Sequence, residues 1–199
     1  TILLGTFKLL HKEAYIIIAA VAALLCFREV KRLWQLTLSF ANYLRQTLKP
    51  GIAGLLLAAY LFFALINFIP ALTPVYEFDS MVYHLAFAKV YANSHSLVYQ
   101  PSHLYTTMPQ GMTMLYTISE LFSAPNLSPL IAYSFGILAS LAIYALVRKK
   151  HSEAAAIAGA LLFFTAPVVV ERLPQTMVDI SVAYFFLAAV LVLFKYAHE

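Results

Sequence analysis

The chain has 199 residues, of which 62% are hydrophobic and 11% charged, with a formal net charge of +4; its mean hydropathy is +0.81. A water-soluble domain of this length cannot hide so much apolar surface, so an ordinary soluble fold is excluded and a membrane is indicated. The positive charge does not imply nucleic acid, because the basic residues sit beside apolar runs, the pattern of membrane topology. Cys26 is the one cysteine and lies in an apolar run, which excludes disulfides within the chain.

No secretory signal peptide is visible. The chain opens on Thr1 rather than Met and closes just after an apolar run, so a piece of a longer protein is expected. Residues 2–10 are apolar but too short to span. A polar knot at 8–13 separates them from 14–27, near the lower limit for a span. Residues 28–49 carry Arg28, Lys31, Arg32, Arg45 and Lys49, with Val30, Leu33, Trp34, Ala41, Leu44 and Leu48 at three- and four-residue steps. That spacing predicts an amphipathic helix on the cytoplasmic surface. Residues 1–50 are therefore read as an amino-terminal unit, and 51–199 as the transmembrane region.

Residues 51–69 form an uncharged run of about the 20 residues a span needs, ended by Pro70 and Pro74. Residues 74–111 then form the longest polar stretch. Within it, 79–91 is predicted helical with Asp79 or Ser80 as its cap, and 93–107 is predicted irregular. Residues 109–122 form a short helix, too polar and too short to cross and expected at the interface. Spans follow at 129–147, 153–170 and 180–194, with a short polar connection at 171–179. The expected fold is all-α: a polytopic transmembrane helix bundle with a long outer loop carrying juxtamembrane amphipathic helices.

If 109–122 does not cross, the basic residues of 28–49, the cluster Arg148, Lys149 and Lys150, and Lys195 all fall on the cytoplasmic side. If it does cross, that cluster lies outside, against the positive-inside rule. The first arrangement puts outer loops at 71–128 and 171–179, and so brings Glu77, Asp79, Glu120, Glu171 and Asp179 to one face.

Asp79 is the leading candidate for chemistry, as a general base; as a helix cap it has a purely structural use, and the two uses are compatible. Asp179 reads alone as a cap for the last helix, and gains interest by sharing the face of Asp79. Lys89 and Arg172 are cations on the side where the rule disfavours them. Binding a phosphate gives them a reason, and snorkelling to headgroups gives Lys89 another. His84, His95 and His103 match no compact ligand spacing, so no cofactor is expected, with a divalent metal as the alternative. Tyr83, Tyr91, Tyr99 and Tyr105 suit an interfacial aromatic belt or sugar stacking.

The outer loop with EFDSMVYHLAFAKVY, then SHLYTTMPQGMTMLYTISELF, a span ending in RKK, and ERLPQTMVDISVAYFFLAAVLVLF together resemble a family. Residues 51–194 resemble the amino-terminal half of GT-C-type polytopic glycosyltransferases, in the branch of aminoarabinose and mannosyl transferases and RgtA-like membrane proteins. Met112 and Thr113 depart from that branch where an acid often follows Pro-x-Gly, and Met108-Pro109-Gln110 stands in place of its His-Pro-Pro. The resemblance implies an integral, multi-pass protein of the bacterial inner membrane. It implies a sugar on polyprenyl phosphate as donor and a glycan, lipid or protein as acceptor, joined with inversion at the outer face. Asp79 matches the first-loop acid that activates the acceptor, and Asp179 the second-loop acid that binds substrate. Lys89 and Arg172 would neutralise the leaving phosphate, with Tyr83, His84 and His103 as further substrate contacts. The competing expectation is a non-catalytic scaffold subunit that keeps the fold within a membrane complex. A transporter is disfavoured, because 51–69, 129–147 and 180–194 hold no ionisable group.

Overall fold

The computed structural model describes residues 2–27, 29, 31, 35, 39, 42–44, 46–48 and 51–196. The amphipathic helix expected over 28–49 lies largely outside the described residues, including Arg28, Arg32, Trp34, Arg45 and Lys49. Among the described residues every regular element is helical.

The amino-terminal apolar stretch is a short helix, α1 (Ile2–Thr6), followed by α2 (Lys12–Leu25), which buries none of its residues. The α1 segment is strapped to the distant polar stretch rather than standing alone. The Leu97 amide donates to the Gly5 carbonyl at 3.0 Å and the Leu10 amide to the His95 carbonyl at 3.2 Å. His95 Nδ1 lies 2.8 Å from the Leu10 carbonyl, and its ring stacks on His11.

Helix α3 (Ile52–Ala71) runs through Pro70 rather than ending at Ile69. A proline this close to a helix end breaks little, and the amides of Leu72 and Thr73 cap the last carbonyls at 3.0 Å. The polar stretch then forms a π-helical turn, Ser80–Leu85, continuous with α4 (Ala86–Ser94), and a 3₁₀ turn at Leu104–Thr107. Next comes α5 (Gly111–Leu121). An interfacial amphipathic helix would leave a polar face in solvent, but α5 buries Thr113, Thr117 and Ser119 together with Met112, Met114 and Tyr116. Its hydroxyls satisfy themselves locally: Thr117 donates to the Thr113 carbonyl at 3.0 Å and Ser119 to that of Tyr116 at 2.7 Å. That self-sufficiency lets a polar helix sit inside, between α4 and the next element.

Helices α6 (Leu127–Arg148) and α7 (Glu153–Thr165) make an antiparallel hairpin, with Ser152 Oγ capping the Ala155 amide. At its turn, Tyr43 and Tyr144 both donate to Glu153 Oε1, while Arg148 Nε lies 2.6 Å from Oε2. Lys150 Nζ stands 5.8 Å from the Phe194 ring centre, so the far end of the last helix meets the same basic turn.

The single returning span expected over 153–170 is two helices. Pro167 ends α7 and starts α8 (Pro167–Arg172), with Ala166 extended between them. Proline has no amide hydrogen to carry the ladder on and pushes its predecessor out of the helical region. The Phe164 carbonyl in the last turn of α7 accepts instead from Asn67 Nδ2 of α3 at 3.2 Å, in a buried position. The short polar connection expected over 171–179 begins within α8 and turns inward: Glu171 is exposed, but residues 173–177 are all buried. It leads into α9 (Asp179–Tyr196). Among the described residues two helices, α3 and α6, are long and apolar enough to cross a membrane.

The core lies in three successive clusters. Leu10, Phe87, Tyr91 and Met114 join the amino-terminal strap to α4 and α5. Ala88, Met112, Tyr116 and Ala132 join α4, α5 and α6. Phe164, Val169, Leu173 and Ile180 join α7, α8 and α9.

Gly136 on α6 admits Leu173 from the buried connection: a Cβ there would lie 2.0 Å from Leu173 Cδ1. Gly136→Ala is therefore expected to destabilise the protein by about 1–3 kcal/mol, the usual range for overpacking. Thermal unfolding in detergent measures this, and an unchanged Tm would mean that Leu173 can yield. Gly159→Ala, whose Cβ would meet Ile143 Cγ2 at 3.3 Å, is the milder control.

Candidate functional site

The residues that matter hang on two connections: the turn that follows α3, and the one that joins α8 to α9. The first is started by Glu77, not by Asp79 or Ser80 as the sequence pattern suggests. The Ser80 amide donates to Glu77 Oε2 at 2.7 Å, and the Asp79 side chain makes no capping hydrogen bond. Asp79 sits within the first helical turn with helical φ and ψ, so the capping explanation for this acid falls away.

The second connection is pinned beneath the first. The Tyr116 hydroxyl of α5 donates to the Met177 carbonyl at 2.9 Å, wholly buried. Arg172 Nη1, at the end of α8, lies 3.8 Å from Glu77 Oε1.

Between the two connections is an open cleft of about 480 Å³. Asp79, Tyr83, His84, Arg172 and Asp179 line it, with Val168, Met177 and Val178 on its apolar side. Five of the seven residues to which the resemblance gives a role thus share one cleft. The other two do not line it. Lys89 is exposed on α4, and His103 is exposed with its ring edge-on to Phe87 at 5.7 Å. His95 is engaged with the amino-terminal strap. Among the described residues no three His, Cys, Asp or Glu side chains converge as a metal set.

Electrostatics follows from this packing. Glu77, Asp79 and Asp179 supply three carboxylates, against the single guanidinium of Arg172. Burial alone would raise Glu77, but the amides of Ser80 and Asp79, with Arg172 beyond them, hold its carboxyl below the usual range. His84 is pulled down by burial, against the upward influence of Asp79, Asp179 and Glu77, so it is neutral near pH 7. Its Nδ1 lies 3.4 Å from Thr113 Oγ1. Tyr83 is pushed up to about 12 by burial and by the charge of Asp79, so it keeps its proton near pH 7. Tyr83 also stacks on Tyr105, with ring centres 4.2 Å apart and planes 10° from parallel. A flat aromatic pair beside carboxylates suits a ligand with an apolar face and hydroxyl groups.

A second, mainly apolar groove of about 710 Å³ opens beside the cleft and shares Tyr83, His84 and Val178 with it. Leu3, Met108, Met112, Val182 and Phe185 are among its walls. An apolar cavity of about 630 Å³ lies between α3, α6 and α7, near Tyr43 and Tyr144.

Sequence reasoning missed the cap and tether made by Glu77, because Asp79 and Ser80 are the preferred capping types and glutamate is not. It also missed Tyr116 and the groove wall made by Ile2 and Leu3, for which no local signal exists. No family model, no curated protein and no solved structure matches this chain.

The sign of the His84 shift makes a pH prediction. A histidine whose folded pKa lies below its unfolded value of about 6.5 leaves stability intact above that value. As pH falls through 6.5 toward the folded pKa, the unfolded state takes up the proton first and stability declines. Tm measured from about pH 7.5 to 5 should therefore fall with acid, and more steeply in wild type than in His84→Gln. Parallel slopes would remove His84 as a source of the decline.

Proposed function

We propose that this protein is a membrane glycosyltransferase that moves a sugar from a polyprenyl-phosphate donor to an acceptor hydroxyl, with inversion. The reading puts it in the bacterial inner membrane as a multi-pass protein, with the Asp79 and Asp179 connections at the outer face. The observation that carries it is that Asp79 and Asp179, far apart in the chain, line one cleft together with Arg172. A bilayer setting is supported by the two helices long and apolar enough to cross. It is supported again by the meeting of Arg148 and Lys150 with Tyr43 and Phe194 at one turn, as the positive-inside rule expects of a cytoplasmic end.

In this mechanism the sugar lies against Tyr83 and Tyr105, with hydroxyl groups donating to Asp179. The lipid tail follows the apolar groove past His84 and Val178. Asp79 takes the proton of the acceptor hydroxyl as its oxygen bonds to the anomeric carbon. The bond from that carbon to the phosphate oxygen breaks, and its electron pair leaves with the lipid phosphate. Arg172 is the cation beside the cleft that can meet this developing charge. Lys89, exposed on α4, has no part in the step. The neutral His84 adds no charge and keeps the threshold between cleft and groove polar but uncharged.

The test uses the full-length protein in lipid nanodiscs with a pool of polyprenyl-phosphate sugars. Asp79→Asn is expected to lower transfer about 10²- to 10⁴-fold, the usual contribution of a placed base. Asp179→Asn should mainly raise KM. Transfer that survives Asp79→Asn undiminished would remove the base from the mechanism.

A further inference from the structure

We propose that Glu77 is a positioning residue of the cleft, a single carboxylate that holds Asp79 and Arg172 in register across two separate connections. It rests on the glycosyltransferase reading for the step it serves, and on geometry alone for what it holds. Each oxygen has its own task. Oε2 accepts the Ser80 amide at 2.7 Å and so starts the turn on which Asp79, Tyr83 and His84 are displayed. Oε1 faces Arg172 Nη1 at 3.8 Å, and Arg172 is the last residue of α8.

The ion pair is long and only partly sheltered, with the Arg172 and Glu77 side chains 32% and 24% exposed. Pairs of this kind add little to stability. Its consequence is positional: it keeps a flexible guanidinium at the rim of a cleft where two further carboxylates, Asp79 and Asp179, would otherwise compete for it. Arginine carries five N–H donors, so contact through Nη1 leaves others to meet phosphate oxygens. Glu77 itself does not line the cleft, so it acts through Ser80 and Arg172 rather than on substrate.

Two substitutions separate the tasks. Glu77→Gln keeps a carbonyl oxygen for the Ser80 amide and removes the charge that holds Arg172; Glu77→Ala removes both. In the full-length protein in nanodiscs, Glu77→Gln is expected to lower kcat about 3- to 10-fold with KM little changed, because Arg172 is needed where charge develops. In an Arg172→Gln background the same change should have less than about a twofold effect, since coupled residues are non-additive. Glu77→Ala should fall further and lower Tm by several degrees, as loss of a helix cap does.

Two readouts do not need the reaction. Phenylglyoxal modification of the Arg172 peptide, followed by mass spectrometry, should be at least about twofold faster in both variants, as expected of a released surface arginine. Amide exchange at Ser80 should quicken only in Glu77→Ala. If wild type transfers no sugar from any polyprenyl-phosphate donor, the glycosyltransferase reading fails, and the modification rates alone decide the role of Glu77. Equal modification of Arg172 in wild type and Glu77→Gln overturns the proposal. So does a loss of transfer that persists in full in the Arg172→Gln background.

Discussion

Pro167 has no amide hydrogen to give, and the end of the molecule that holds the cleft is arranged around that missing bond. Without it, α7 and α8 would run on as one helix and Arg172 would be carried past the cleft. With it, Ala166 turns extended, α8 sets off in a new direction, and the chain after Arg172 is driven inward. The Phe163 carbonyl that this amide would have met accepts from the Ala166 amide at 3.3 Å instead, but the break also parts the Phe164 carbonyl from its helical donor, which would be costly if left unpaired in an apolar setting. Asn67 donates to it from α3, and so fixes how the first long helix meets the break. Gly136 then admits Leu173, and the Tyr116 hydroxyl pins Met177, so the buried connection has a floor and a roof.

A polar cleft and an apolar groove meet across three shared residues, Tyr83, His84 and Val178. That juncture matters more than either volume alone. A ligand held by both must be amphipathic, with a hydroxyl-rich or charged head and a hydrocarbon tail. The cleft is acidic on balance, and burial keeps His84 neutral rather than adding a second cation. Arg172 is therefore the one cation in the cleft among those singled out from sequence, since Lys89 does not line it. Holding that one guanidinium in place becomes correspondingly important, which is why the two contacts of Glu77 carry weight beyond their small contribution to stability.

Much of the helical layout was legible from local chemistry. The apolar runs at 51–69 and 129–147 are helices within two residues of where their composition puts them, because length and apolarity are properties of the run itself. The cap before Ser80 was not read correctly: Asp79 is a better capping residue by type, yet Glu77 has the reach and the angle. The helix α5 was misjudged in its surroundings. Threonine and serine read as surface residues, but here they bond back to their own helix and can be buried. Pro167 was visible as a residue, while the break it makes was hidden inside a run that is apolar on both sides.

The sequence by itself determined that the chain is helical, that it has apolar runs long enough to cross a bilayer, and that a long polar stretch rich in titratable side chains follows Pro74. Composition and periodicity are additive along the chain, so they survive without knowledge of contacts. Only the tertiary structure decided that Asp79, Asp179 and Arg172 share a cleft while Lys89 and His103 stand apart from it. It alone decided that Ile2 and Leu3 wall the groove, and that Glu77 grips both connections at once. Each of these depends on residues far apart in the chain meeting through backbone breaks and buried hydrogen bonds, for which no local pattern carries a signal.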